Sequence, residues 1–268
     1  MFSSNSQPGT VSLFSSTSSD PLALFSIHTD PSLPSDSFVH LLADTSSVPA
    51  PDPPAVLIVP HPISSSDSAE RSGGRNGYEI ANTVLHIQSP TLCTTYIRSP
   101  PSYWHSDKAR DRERDLGLNH PWIHLQIRNM GREWSFEVGL VDTGGREGIV
   151  RCSTFQKRPT LQLRTGRPPL LHIPLSFPHA SSTPLTTWNT ISLHLPSLIP
   201  HFTSSELNHD SDEGASIVDV LPAPTGRYTN VSYIVVYASC RLRRIWFSQS
   251  ALSGEGDASW EMQLYTDS

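Results

Sequence analysis

Cysteine is nearly missing from this chain: Cys93, Cys152 and Cys240 are the three in 268 residues. An odd, widely spaced set without a C-x-x-C pair excludes a disulfide framework. The three read as buried thiols in a reducing compartment. Charge is scarce too. Charged residues make up 16% and the net charge is −6, so the basic excess of a general nucleic-acid binder is absent. No apolar run approaches the ~20 residues of a membrane-spanning helix. The opening MFSSNSQPGT lacks the basic and apolar regions of a secretory signal, and no membrane partner is expected. There is no long amphipathic helix and no fixed-period repeat, which removes helix bundles, propellers and solenoids.

What the chain has instead is Ser, Thr, His and 24 prolines. Three segments read as loop or disordered insertions in a single domain spanning 1–268. Residues 31–77 carry eight prolines between Pro31 and Pro62 and end in a Ser/Gly-rich run. Proline breaks both helix and ladder, and this stretch has little to bury. Within it, AVLIV (55–59) is a candidate docking strand. Residues 102–115 mix four bases with four acids, and residues 203–226 are acidic and end in LPAPTG. Both read as solvated loops.

Between these segments the apolar pattern has period two. Ile123, Leu125 and Ile127 fall on one face, as do Trp134, Phe136, Val138 and Leu140. Leu171/Ile173/Leu175, Ile191/Leu193/Leu195 and Ile234/Val236/Ala238 repeat the pattern. Such alternation, punctuated by Gly, Pro and Asn, predicts strands. Many half-buried strands must hide their apolar sides against one another. The expected fold is therefore an all-β, two-layer antiparallel sandwich with a few short helical turns, one of them around 195–202.

Catalytic signals are weak. Val141-Asp142-Thr143-Gly144 resembles an aspartic-protease signature, but a second copy is absent and such chemistry needs two carboxylates. The glycines Gly144, Gly145 and Gly148 read as positive-φ positions of a hairpin turn. His120 and His124 are four apart, but in a strand with Pro121 between them and without an acid beside them, so no zinc site is expected. There is no G-x-S-x-G elbow and no phosphate loop. The expectation is a non-enzyme with no metal and no cofactor.

The sharpest feature is ASCRLRRIWFSQ (238–249). Arg243 and Arg244 are adjacent in an otherwise alternating strand. Leu242 and Ile245 both want the core, and a β-bulge between them lets both arginines face out. Burying an unpaired guanidinium costs far more. A bulge at Arg243–Arg244 is therefore predicted, with Arg241 outward, Ile245 and Phe247 in the core, and Trp246 outward.

Several stretches resemble the cilia- and flagella-associated protein 20 family. The Cys240–Ser248 run is similar to its Cys-Arg-hydrophobic-Arg-Arg-hydrophobic-aromatic-Phe-Ser closing strand. Thr94–Ile97, the paired strands around Phe136-Glu137-Val138, Trp188-Asn189 with Ile191, and the Met1-Phe2 start also match, in order. Coverage is about 1–30, 78–101, 116–202 and 227–265, and the departures fall on the three insertions. The resemblance implies a sandwich like carbohydrate-binding modules, without enzymatic activity. It also implies a structural role in cilia, flagella or centrioles, at the inner junction of the axonemal doublet, with tubulin and neighbouring junction proteins as partners. A nuclear role is also implied for the family.

A microtubule presents an acidic surface, so a chain of negative net charge needs local positive patches. Arg241, Arg243 and Arg244 form the leading candidate, with Arg128, Arg132 and Arg151 behind them. Two other readings stay open. One is a ligand-binding module using exposed Trp104, Trp122 and Trp246 as a platform for carbohydrate. The other is a diverged cytosolic or nuclear adaptor in an organism without flagella.

Overall fold

The computed structural model describes residues 7–44, 47, 58–59, 79–80, 83–101, 115–177, 188–207 and 220–252. Two sheets pack face to face. The first has six strands: β13 (Trp188–His194), β8 (Trp122–Asn129), β15 (Cys240–Ser248), β6 (Thr83–Gln88) and β3 (Phe38–Ala43) in that order, with β1 (Thr10–Ser15) also on β15. The second has seven: β11 (Thr160–Arg164), β12 (Arg167–Pro174), β10 (Glu147–Ser153), β9 (Ser135–Asp142), β14 (Tyr228–Tyr237), β7 (Tyr96–Ser99) and β2 (Ser26–His28).

The alternation explains the layering. Ile123, Leu125 and Ile127 meet Phe136, Val138, Leu140, Ile234 and Val236, and all are fully buried in one continuous cluster. Each such side chain withdrawn from water contributes roughly 1.5–3 kcal/mol. One 3₁₀ segment, Leu195–Thr203, closes an end of the sandwich with Leu195, Ile199 and Phe202 buried. It lies at the predicted short helical turn.

Several expectations are corrected. The ladder between β10 and β12 is parallel. β11 sits one place beyond, so β12 returns between β11 and β10 instead of pairing outside them. Its Leu171 enters the main core, while Leu170 joins a separate cluster on the outer side. The insertion expected from residue 31 starts later, because Phe38–Ala43 pair with β6 as a sheet edge. In AVLIV, Ile58–Val59 (β4) pair with Glu79–Ile80 (β5) as a separate two-stranded ladder and not with either main sheet. The 203–226 segment opens in 3₁₀ structure, through Ser205–Leu207, and near its end Val220 bridges to Thr165. Its middle, 208–219, and residues 102–114 of the charged insertion lie outside the described residues. Cys152 and Cys240 are buried as expected, but Cys93 is exposed.

The DTGG turn is a hairpin, though its glycines serve different ends. Gly145 has φ +69°. Gly148 is needed for space: a Cβ there would meet the Phe202 ring at 2.7 Å.

Candidate functional site

The doubled arginine sits at a bulge. Leu242 pairs with Ile127 and Arg244 pairs with Gln126, which leaves Arg243 as the extra residue. The position has a structural cause. On its other edge β15 pairs with β6 through Cys240–Leu242 and with β1 through Arg244–Ser248. Arg243 lies at the hand-over, where its carbonyl accepts from the Ser16 N–H at 2.9 Å. The bulge therefore joins two half-length neighbours as well as shifting phase. Arg243 and Arg244 are both half-buried, and Ile245 and Phe247 return to the core as predicted.

Arg241 does not extend this pair into an exposed ridge. It belongs to a row that crosses the outer side of the sheet: Trp188, Arg128, Arg241, His86 and His40, one residue from each of five strands. Like charges directly opposite one another destabilise a sheet. Asp44, just after β3, resolves the conflict. Its Oδ1 accepts from Arg128 Nη1 and Arg241 Nη1, both at 2.8 Å, and its Oδ2 accepts from Trp188 Nε1 at 2.8 Å. Burial alone would raise the Asp44 carboxyl, but bonds from Arg241, Trp188 and Arg128 outweigh it and hold its pKa below the ordinary value. The Arg241 side chain is only 7% exposed. Its Nη2 donates to Ser47 Oγ at 2.7 Å, and its Nη1 also donates to the Asp44 carbonyl. Burial, then the charges of Arg241 and Arg132, lower the pKa of the neighbouring His86.

Trp246 faces the outer side as expected but is 1% exposed. It stacks on His124 with centroids 4.9 Å apart. His124 is itself buried, its two ring nitrogens bonded to Ser192 Oγ and Ser248 Oγ at 2.8 Å each. Burial pushes His124 down to about 4. Trp122 is half-buried beside it, and Trp104 lies outside the described residues. The expected exposed tryptophan platform therefore loses Trp246. No group of three metal-ligating side chains occurs among the described residues.

The remaining candidates scatter. Arg132, in the turn after β8, is exposed. Arg151 lies on the other sheet, opposite Glu137 across β9–β10, and its Nε donates to Glu137 Oε1 at 2.7 Å. Of the six arginines, four gather on the six-stranded sheet, and two of those four are tied to Asp44.

The seven-stranded sheet carries a second bulge that the sequence reading missed. Val231 pairs with Leu140 and Ile234 with Val138, so Ser232 and Tyr233 together oppose Gly139. A Cβ on Gly139 would lie 2.1 Å from Ser232 Oγ and 2.7 Å from the Tyr233 ring, so a glycine is required there. The signal was available: Val231 and Ile234 are three apart, as Leu242 and Ile245 are. An open cavity of about 840 Å³ covers this bulge, lined by Arg98, Glu147, Ser232 and Tyr233, with Pro168 and Leu221 in its walls. The Arg98 guanidinium lies 4.2 Å from the Tyr233 ring centroid. Burial raises the Glu147 carboxyl, against a hydrogen bond from Ser232 Oγ.

Asp142 is buried beside this region, and among the described residues no second carboxylate bonds to it. Its oxygens accept from the backbone N–H groups of Gly144, Arg146, Thr225 and Gly226 at 2.8–3.0 Å, and from the Arg146 guanidinium. Burial would raise this carboxyl, yet those donors hold it far below the ordinary range. It staples the 220–226 loop to the β9–β10 hairpin.

Known proteins resemble the chain across this framework. A model described as the CFA20 domain matches residues 76–210. The cilia- and flagella-associated protein 20 of Chlamydomonas reinhardtii is 25% identical over 178 residues, 66% of this chain and 71% of its own length. The proteins of that name from Caenorhabditis briggsae and Caenorhabditis elegans are 23% and 22% identical over 188 residues, 70% of this chain and 71% of each relative.

Proposed function

The chain belongs to the CFA20 domain family, and from that premise we propose that it is a non-enzymatic structural protein of cilia, flagella or centrioles that binds microtubules and strengthens the inner junction of the doublet. The carrying observation is the bulge that holds Arg243 and Arg244 half-buried at the outer side of a sheet whose neighbouring turn exposes Arg132. These cations interrupt a chain of net charge −6, which is what docking on an acidic lattice needs. Exposed ion pairs contribute ~0.2–1 kcal/mol each. They orient more than they hold, and repetition along a lattice multiplies them. The non-enzymatic part is supported by Asp142, whose oxygens are spent on hydrogen bonds that fix two loops.

The test is co-sedimentation of the full chain with stabilised microtubules at low and moderate salt. Pelleting that weakens as salt rises supports the proposal; no pelleting at low salt contradicts it.

A second reading is favoured by the cavity over Ser232 and Tyr233: a module that binds a small polar ligand such as a neutral oligosaccharide. Amide shifts confined to residues around Tyr233 on adding cello- or maltotriose would support it, and unchanged spectra at millimolar sugar would end it.

A further inference from the structure

We propose that Ser47 is a phosphorylation site whose phosphoryl group is received by Arg241 and Arg128. Three observations converge on this corner of the six-stranded sheet. First, among the described residues the charges do not balance within the row. The Arg128 and Arg241 guanidiniums share the single carboxylate of Asp44. Arg132 adds to the positive field felt at His86. Second, Arg128 Nε is buried without a hydrogen-bond partner among the described residues, so Asp44 does not saturate this guanidinium. Third, the deepest guanidinium already reaches the surface through one hydroxyl: Arg241 Nη2 donates to Ser47 Oγ at 2.7 Å, and Ser47 is exposed. A neutral hydroxyl is a modest acceptor for a buried guanidinium. A phosphate adds about −1.5 to −2 charge and three strong acceptor oxygens, and guanidinium–phosphate pairs form charge-assisted bonds about twice as strong as neutral ones.

The backbone presents the hydroxyl for this chemistry. Ser47 donates its N–H to the Ala43 carbonyl at 2.9 Å and has φ +57°. In the transfer, Ser47 Oγ attacks the terminal phosphorus of a nucleoside triphosphate held by a protein kinase. The bond from that phosphorus to its bridging oxygen breaks, and the nucleoside diphosphate leaves with the electron pair. The hydroxyl proton passes to the kinase's base. The product carries its dianion at the mouth of the arginine corner, turning a local excess of one positive charge into a negative one. If the microtubule reading holds, the same modification weakens attachment to an acidic lattice through Arg243 and Arg244. That consequence rests on the proposed function; the phosphate site does not.

The experiment installs phosphoserine at position 47 of the full chain by co-translational incorporation, with phosphoserine at the exposed turn residue Ser35 as the control. The second phosphate ionisation, about 6 in a free phosphoserine, is followed by ³¹P resonance against pH. A guanidinium partner favours the dianion and lowers that value. The expected result is a value at position 47 at least half a pH unit below that at position 35. It returns towards the control when Arg128→Gln is added. Equal values at the two positions overturn the proposal, and so does a chain that unfolds once Ser47 is phosphorylated. A lowered ionisation with unchanged microtubule pelleting leaves the phosphate site standing and counts against the microtubule reading.

Discussion

The two outer faces of the sandwich use the same device to different ends. Each has a bulge that turns two adjacent residues outward, Arg243 with Arg244 on one sheet and Ser232 with Tyr233 on the other. On the six-stranded sheet the residues around the bulge are locked. Asp44 ties Arg128, Arg241 and Trp188, and His124 is held between Ser192 and Ser248. On the seven-stranded sheet the bulge opens beneath a cavity, and Glu147 there is held by a single serine hydroxyl in a site that disfavours its charge. A polar outer face is thus not one kind of surface. One is a closed network whose integrity is a stability matter. The other is a recess lined by a carboxyl, a serine hydroxyl and a guanidinium.

The comparison is broken most severely by Asp44→Ala. It leaves Arg128 opposite Arg241 without the carboxylate; breaking a fully buried ion pair costs about 3–5 kcal/mol, and this one, partly exposed at Asp44 and Arg128, is expected to cost somewhat less. Glu147→Gln on the other face is expected to cost under about 1 kcal/mol, since the charged form gains little there. Urea unfolding of the two variants measures both; equal losses would erase the distinction between the faces. Next is Gly139→Ala, which forces a methyl into Ser232 and Tyr233 and is expected to cost about 1–3 kcal/mol in the same assay.

Comparable in size is the pH response, to which each face contributes a histidine. Burial lowers His124 and, against the opposing charge of Glu137, His172 to about 4 from 6.5. Between those values the unfolded chain binds more protons, so stability is present above pH 6.5 and falls as pH drops towards 4. Each histidine is expected to remove on the order of 1–2 kcal/mol by pH 4.5. Chemical unfolding at pH 7 and 4.5 checks this, and His124→Gln should flatten the slope. The smallest stability effect is expected from Arg243→Ser combined with Arg244→Ser, under about 1 kcal/mol, because neither side chain is fully buried.

The strands and the sandwich were legible because period two survives in nearly every core segment. The arginine bulge was legible because Leu242 and Ile245, three apart, both demand the core. The same spacing at Val231 and Ile234 was as readable, yet Ser232 and Tyr233 do not offend the pattern as two arginines do. What could not be read was tertiary in origin. Asp44 lies in a stretch whose prolines suggested only a loop, and nothing local says that its carboxylate meets residues 84, 144 and 197 positions away. Without that partner, Arg241 and Arg128 looked like exposed cations. Trp246 was placed on the correct side, but alternation says which side a residue faces and not what lies over it.

The most direct measurement compares the two faces in one binding assay: co-sedimentation of the full chain with microtubules. Arg243→Ser with Arg244→Ser disables one face, and Arg98→Gln with Glu147→Gln disables the other. The first pair is expected to weaken binding about fivefold, the equivalent of roughly 1 kcal/mol, while the second pair binds as the unaltered chain does. Unchanged pelleting in the first pair, or a larger loss in the second, would contradict the microtubule reading.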